Sequence, residues 1–266
     1  MNVGIIGIGV VGGAIRHGFE KLGHNVVIHD VKHKTKIEDV IDTDIVFVCV
    51  PTPSAPNGDC DTSIVESVVR ELADLKYDGI VCIKSTVKPG TTEKLSKYYP
   101  SLNLSFVPEF LRERCAEEDF IYNNNVLVIG ADTKEQFELI KDTHGSLPVH
   151  IVHSKVIEAE LIKYFSNTYK AMRITFANTF HQLCKELGAN YDVVKNSFLF
   201  HGLGEGHYLN VNKEFGGFGG MCLPKDTKAM AMLVEKLGLN LNLFRNILNE
   251  NDKFIVKVPE GMRKEI

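Results

Sequence analysis

The residues best able to do chemistry in this 266-residue chain lie in one short stretch, Gly217-Phe218-Gly219-Gly220-Met221-Cys222-Leu223-Pro224-Lys225-Asp226. It sets a cysteine at the mouth of a glycine-rich loop, immediately before a helix that starts with proline. The chain also opens with Gly7-Ile8-Gly9-Val10-Val11-Gly12, a GxGxxG spacing between an apolar strand and a helix. In that context Gly7 permits the tight turn, Gly9 lets the backbone approach a pyrophosphate, and Gly12 lets helix and strand pack closely. Asp30 closes the next apolar run, eighteen residues past Gly12. A carboxylate there would take the adenosine ribose hydroxyls and repel a 2′-phosphate, which favours NAD. Lys32, His33 and Lys34, just past Val31, pull the other way. A dinucleotide and a poised thiol together point to an oxidation that passes through a thioester.

Positioning such groups takes a scaffold, and the first half of the chain supplies one. Strand-like apolar runs occur at Val3–Ile6, Asn25–His29, Asp44–Val50, Ile80–Lys84, Leu104–Phe106, Val126–Ile129 and Val149–Val152. Several are continuous and β-branched, as expected of parallel strands covered on both faces. Helical stretches separate them, among them Ala14–Leu22, Ile64–Leu75 and Lys134–Lys141. The alternation predicts an α/β domain over residues 1–153, a doubly wound parallel sheet whose ligand crevice lies at the carboxyl ends of its strands. From Lys155 to Leu187 the chain has neither glycine nor proline, and Gly188 supplies a stop. One helix over 155–187 would be roughly 50 Å long. A helix of that length needs packing throughout, and pairing with a second copy of itself in a homodimer provides it. A helical domain is therefore expected over 154–248, with another helix from about Lys225 to Leu237, followed by a polar tail at 249–266.

Thirty basic and thirty-four acidic side chains give a net charge of −4, too balanced for a broad nucleic-acid surface. No apolar run is long enough to cross a bilayer, and Met1-Asn2-Val3-Gly4 leads straight into a strand. The six cysteines show no CxxC pairing, which argues for a reducing cytoplasm and against both structural zinc and a disulfide framework.

Taken in order, the motifs resemble those of the UDP-glucose/GDP-mannose dehydrogenase family. They are the N-terminal glycines, Val48-Cys49-Val50-Pro51-Thr52-Pro53, Lys84-Ser85-Thr86-Val87-Lys88-Pro89-Gly90-Thr91-Thr92, Val107-Pro108-Glu109-Phe110-Leu111-Arg112-Glu113, Ala159-Glu160-Leu161-Ile162-Lys163-Tyr164-Phe165-Ser166-Asn167 and the Cys222 loop. The resemblance implies a Rossmann-type NAD domain and oxidation of a nucleotide-sugar C6 alcohol to the carboxylate, with two hydride transfers and no metal. It implies that Cys222 attacks the aldehyde and that Lys163 stabilises the oxyanion at C6. Asn167, one turn on, would donate a hydrogen bond, Asp226 and Thr86 would position water, and Glu109 would act as general base in hydrolysis. Cofactor contacts are implied at Gly7, Gly9, Val10, Val11, Gly12, Asp30, Pro51, Thr52, Ser85 and Thr86. Substrate contacts are implied at Glu109, Phe110, Leu111, Arg112, Lys163, Tyr208, Gly217, Gly219 and Cys222. The Pro108-Glu109-Phe110 form favours UDP-glucose or GDP-mannose over N-acetylhexosamines, with UDP-glucose preferred, in polysaccharide precursor synthesis.

Three departures accompany the resemblance. The sequence ends roughly forty residues beyond Cys222, and set against the resemblance it is expected to be a short form lacking the family's C-terminal nucleotide-sugar-binding domain. The segment between Asp30 and Asp44 is short, and Arg114 stands where the family more often has glycine. The plainer alternatives are a Lys163–Glu160 surface pair, a solvated Glu109 and a buried, inert Cys222. Two other functions stay open, a β-hydroxyacid dehydrogenase with one hydride transfer and an NAD-binding subunit that does not turn over.

Overall fold

The computed structural model describes residues 1–202, 206–211 and 216–254. They form two compact units, Met1–Pro53 with Cys60–Lys163, and Ser54–Asp59 with Tyr164 onward. The larger unit runs β1 (Asn2–Ile6), α1 (Val10–Lys21), β2 (Asn25–His29), β3 (Ile45–Val48), α2 (Ser63–Asp74), β4 (Ile80–Ile83), α3 (Thr91–Tyr98), β5 (Asn103–Phe106), α4 (Ala116–Tyr122), β6 (Val126–Gly130), α5 (Lys134–His144) and β7 (His150–Ser154). The sheet order is β2-β1-β3-β4-β5-β6-β7. β3 shows why its run is unbroken: Val46 and Val48 enter the core on one face, Ile45 and Phe47 the core on the other.

The doubly wound sheet is present, but it is mixed rather than parallel throughout. β1 to β5 are parallel, β6 runs antiparallel to β5, and β7 is parallel to β6. An apolar run carries no sign of its direction; that is set by where the connecting helix packs. Here α4 lies on α1, so closely that a side-chain carbon on Gly18 would overlap the Phe120 ring. Helices α3 and α4 are not among those named from the sequence. α3 starts at Gly90 (φ +91°) with no capping side chain of its own, and α4 has only seven residues.

His144 is fully buried at the end of α5, edge-on to Phe19 and Phe47. Its Nδ1 lies 2.7 Å from the Ile140 carbonyl, while Nε2 has no hydrogen-bond partner. Burial, aided by the nearby Lys84 charge, pushes its pKa down to about 3. The unfolded chain therefore binds a proton below pH 6.5 that the folded chain refuses. Stability is lost as pH falls from 6.5 toward 3, by about 2 kcal/mol at pH 5. Urea unfolding of His144→Met at pH 7 and pH 5 should show a correspondingly smaller acid loss; an unchanged loss would assign it to other groups.

The long helix α6 (Val156–Glu186) agrees with the expected 155–187 to one residue at each end, and Gly188 follows at φ +67°. The expected boundary at 153/154 falls just before α6, whereas the compact units part within it. α7 (Tyr191–Phe200), α8 (Leu223–Lys236) and α9 (Leu243–Asn251) complete the smaller unit. Polar residues inside α6 bond back one turn: Thr168 to the Tyr164 carbonyl (2.8 Å), Thr175 to Ala171 (3.0 Å) and Asn178 to Ile174 (2.8 Å). α9 runs through the expected start of the tail at 249; residues 255–266 lie outside the described residues.

Candidate active site

Five loops leave the carboxyl ends of β1 to β5, and they carry Gly7, Asp30, Pro51, Thr52, Ser85, Thr86 and Glu109. β1 sits between β2 and β3, so the chain reverses its winding there, and ligands of open α/β sheets bind at that point. Gly7 adopts φ +93°, and a side-chain carbon on it would come within 2.8 Å of the Cys49 carbonyl. One on Gly12 would overlap the Gly7 carbonyl, whereas one on Gly9 would enter open space. Among the described residues nothing crowds position 9, and the open space beside its backbone leaves room for a ligand. The first helical bond of α1 runs from Gly13 N–H to the Gly9 carbonyl (2.8 Å), and no acidic side chain occupies the first turn containing Val10 and Val11. The helix start is thus free to face a diphosphate.

Asp30 accepts the Ile8 N–H (2.7 Å) and the Lys32 N–H (2.8 Å). Burial works to raise its carboxyl, but these two bonds, with the His33 and Lys32 charges nearby, hold it below the usual value. Glycine loop, helix start and ionised Asp30 fit NAD. Ser85 spends its hydroxyl within the scaffold, donating to the Val50 carbonyl (2.7 Å) and thereby tying the β4 end to the β3 end. Thr52 is buried and Thr86 half-buried beside them.

Glu109 is the hub of the larger unit. Its Oε2 pairs with Lys84 Nζ at 3.1 Å, its Oε1 accepts the Phe110 N–H at 3.0 Å, and its carbonyl accepts the Lys163 ammonium. That ammonium also lies 5.6 Å from the Phe110 ring centre. Glu160 is not the surface partner of Lys163. It is fully buried and accepts the Gly90 N–H (2.5 Å) and the Thr92 N–H (2.9 Å), capping α3 and clamping the Lys84–Thr92 loop to α6. Burial raises its carboxyl above the usual range against those bonds. Sequence reading missed the roles of both Lys84 and Glu160; the available signal was a lysine ending a run, Ile80-Val81-Cys82-Ile83, that is buried throughout.

In the smaller unit Cys222 is exposed, at the residue before α8, and so is not an inert core thiol. The Asp226 N–H bonds the Cys222 carbonyl (2.9 Å), placing the Asp226 carboxylate one turn along. That carboxylate is 1% exposed and accepts from Asn167 Nδ2 (2.5 Å) and Lys225 Nζ (2.8 Å), so Asn167 braces α6 against α8. Burial pushes the Cys49 thiol of the larger unit up to about 12.

Other expected contacts have structural partners. The Arg112 guanidinium grips Asp119 through Nε (2.9 Å) and a terminal nitrogen (2.6 Å), and holds that carboxyl down to about 2. Leu111 is half-buried and packs on the larger unit's core. A side-chain carbon on Gly217 would overlap Asn251, whose amide brackets Phe218 with bonds of 2.8 and 3.0 Å. The glycine-rich loop is therefore braced by α9, while the Gly219 backbone is half-buried. Tyr208 takes φ +64°, with the Lys170 ammonium 5.9 Å from its ring centre.

Residues 32–147 match the NAD binding domain of the UDP-glucose/GDP-mannose dehydrogenase family, and residues 157–253 match its central domain. The UDP-glucose 6-dehydrogenase of Rickettsia conorii is 34% identical over 215 residues, covering 78% of this chain and 49% of that protein. The Rickettsia typhi enzyme of the same name is 31% identical, covering 94% of this chain and 67% of its own. The structure of a UDP-glucose dehydrogenase from Pyrobaculum islandicum superposes with a TM-score of 0.87 at 30% identity, over 95% of this chain and 68% of that one. The chain spans about half to two thirds of the length of these relatives. With both domains matched and the dinucleotide loop in place, the chain belongs to the UDP-glucose/GDP-mannose dehydrogenase family.

Proposed function

We propose that this protein oxidises a nucleotide sugar, UDP-glucose by preference, at C6 to the uronate through a thioester on Cys222. The observation that carries the reading is the exposed Cys222 at the start of α8, one turn from an Asp226 braced by Asn167 and Lys225. NAD, when bound by the Gly7–Gly12 loop and Asp30, supplies the hydride acceptor for both oxidations. Cys222 adds to the C6 aldehyde, and Lys163 bears the charge that develops on the C6 oxygen. Thr86 and Asp226 hold the water that hydrolyses the thioester, and Glu109 takes its proton as the water adds to the acyl carbon. Phe110, Leu111, Arg112, Tyr208, Gly217 and Gly219 line the path of the sugar nucleotide. Cofactor absorbance recorded with UDP-glucose, GDP-mannose and UDP-N-acetylhexosamines tests this. Two NADH per sugar nucleotide, with UDP-glucose turned over fastest, supports the reading; one NADH, or none with every sugar nucleotide, refutes it.

The protein works as a homodimer through α6 in this reading. Phe165, Tyr169, Phe176, Phe180, Leu183 and Leu187 are all exposed, at spacings of three, four and seven that put them on one helix face. Light scattering should give about twice the 29.7 kDa chain mass, and Phe176→Asp with Phe180→Asp should give the single-chain mass. A monomeric parent would remove the dimer from the proposal. All six cysteines are free thiols, which supports a reducing, cytoplasmic setting.

A further inference from the structure

We infer that Lys84 is a positioning residue for the base of thioester hydrolysis, holding the Glu109 carboxylate in its working orientation. The inference rests on the proposed role of Glu109 and adds a residue that role does not use. Lys84 follows β4, and its side chain is 1% exposed. An ammonium buried that deeply costs several kcal/mol unless an opposite charge compensates it. Burial keeps Cys49 and Cys82 as thiols at neutral pH, and His144 stays uncharged there. The Phe47 ring, 5.8 Å from Nζ, offers only its π face. The balancing charge is the Glu109 carboxylate, 3.1 Å away.

The pair constrains Glu109 more than Lys84. With Oε2 held by Lys84 and Oε1 held by the Phe110 N–H, the carboxylate plane is fixed from two directions. The carbonyl of the same residue accepts the Lys163 ammonium, so one backbone position sets both the base and the oxyanion donor. Glu160 fixes the far end of the loop that Lys84 begins, through Gly90 and Thr92. In hydrolysis the water oxygen bonds to the acyl carbon and one water proton passes to Glu109. The C–S electron pair then leaves on the Cys222 sulfur. Lys84 touches none of these atoms; it acts through the aim of Glu109.

Rapid mixing of Lys84→Met, Lys84→Arg and the parent protein with UDP-glucose and excess NAD tests the assignment. Lys84→Met should release its first two NADH per site at a rate near the parent's, then turn over about 10²-fold more slowly, the scale of a misplaced general base. Intact mass should show the acyl group retained on Cys222, and Lys84→Arg should recover most of the turnover. Equal loss of burst and turnover without an adduct, or no loss at all, overturns the inference. A parent that forms no NADH refutes the proposed function instead. The pair itself is then read from melting temperatures of Lys84→Met, Glu109→Gln and the double variant. Each single change should lower melting by roughly 5 °C or more, and the double by less than their sum; additive losses overturn the inference by that route.

Discussion

Cys222→Ala should lower uronate formation at least ~10³-fold, since the proposed route needs its sulfur to carry the acyl group that water cleaves. The side chain is exposed and lies at the residue before a helix, so its removal leaves no cavity and strips no buried group of its partner. Melting temperature and NAD affinity should therefore stay at parent values, separating lost chemistry from lost fold. Cys222→Ser should be nearly as inactive, because a hydroxyl at the same place is a far weaker nucleophile. Cys82→Ala is the informative contrast: that thiol lies in β4 with no exposure, and its loss should cost stability while leaving the yield per folded molecule intact. NADH absorbance with mass detection of the uronate decides the matter, and full turnover by Cys222→Ala would end the thioester reading.

Gly12→Ala and Gly9→Ala should fail in opposite ways. At position 12 the added carbon overlaps the Gly7 carbonyl, a backbone atom at the end of β1 with no flexible side chain to move aside. α1 must then shift off the sheet, so melting should fall by several degrees and NAD affinity by about 10²-fold or more. At position 9 the carbon meets nothing within 4 Å, and the backbone at φ −87° suits any L-residue. Melting should not change, yet NAD should bind roughly ten-fold more weakly, because the methyl takes up space left for the pyrophosphate. Titration of ADP-ribose by calorimetry reads this without turnover. Gly9→Ala binding as tightly as the parent would move the diphosphate elsewhere.

These contrasts show which parts of the molecule a sequence can reveal. β-branched runs such as Ile45–Val48 declare a doubly covered strand, and an uninterrupted stretch ending at Gly188 declares a helix, because both depend on neighbours in sequence. The orientation of β6 depends on where α4 docks, which local pattern does not record. Partner choice was equally hidden. Glu160 stands three positions before Lys163 and reads as its surface mate, yet the backbone of a distant loop claims it. The grip of the Arg112 planar fork on Asp119, seven residues on, leaves no mark in the local pattern either. The need for glycine at position 217 comes from Asn251, thirty-four residues later, which fills the space a side chain would take. Chemistry-bearing types were legible; the supports that aim them were not.

The sheet also carries a seam. β5 and β6 share the single residue pair Phe106 and Gly130, whereas every other neighbouring pair shares four or five. Along that line Gly130 lies so close to the first turn of α6 that a side-chain carbon on it would sit 2.8 Å from Ala159. Deuterium uptake should therefore divide there: amides of β6 and β7 should exchange together as one cooperative block, ahead of those in β1, β3 and β4. Gly130→Ala, by wedging the helix away, should speed only the outer block, so that the two strands detach like a leaf from a hinge while the dinucleotide half stays shut.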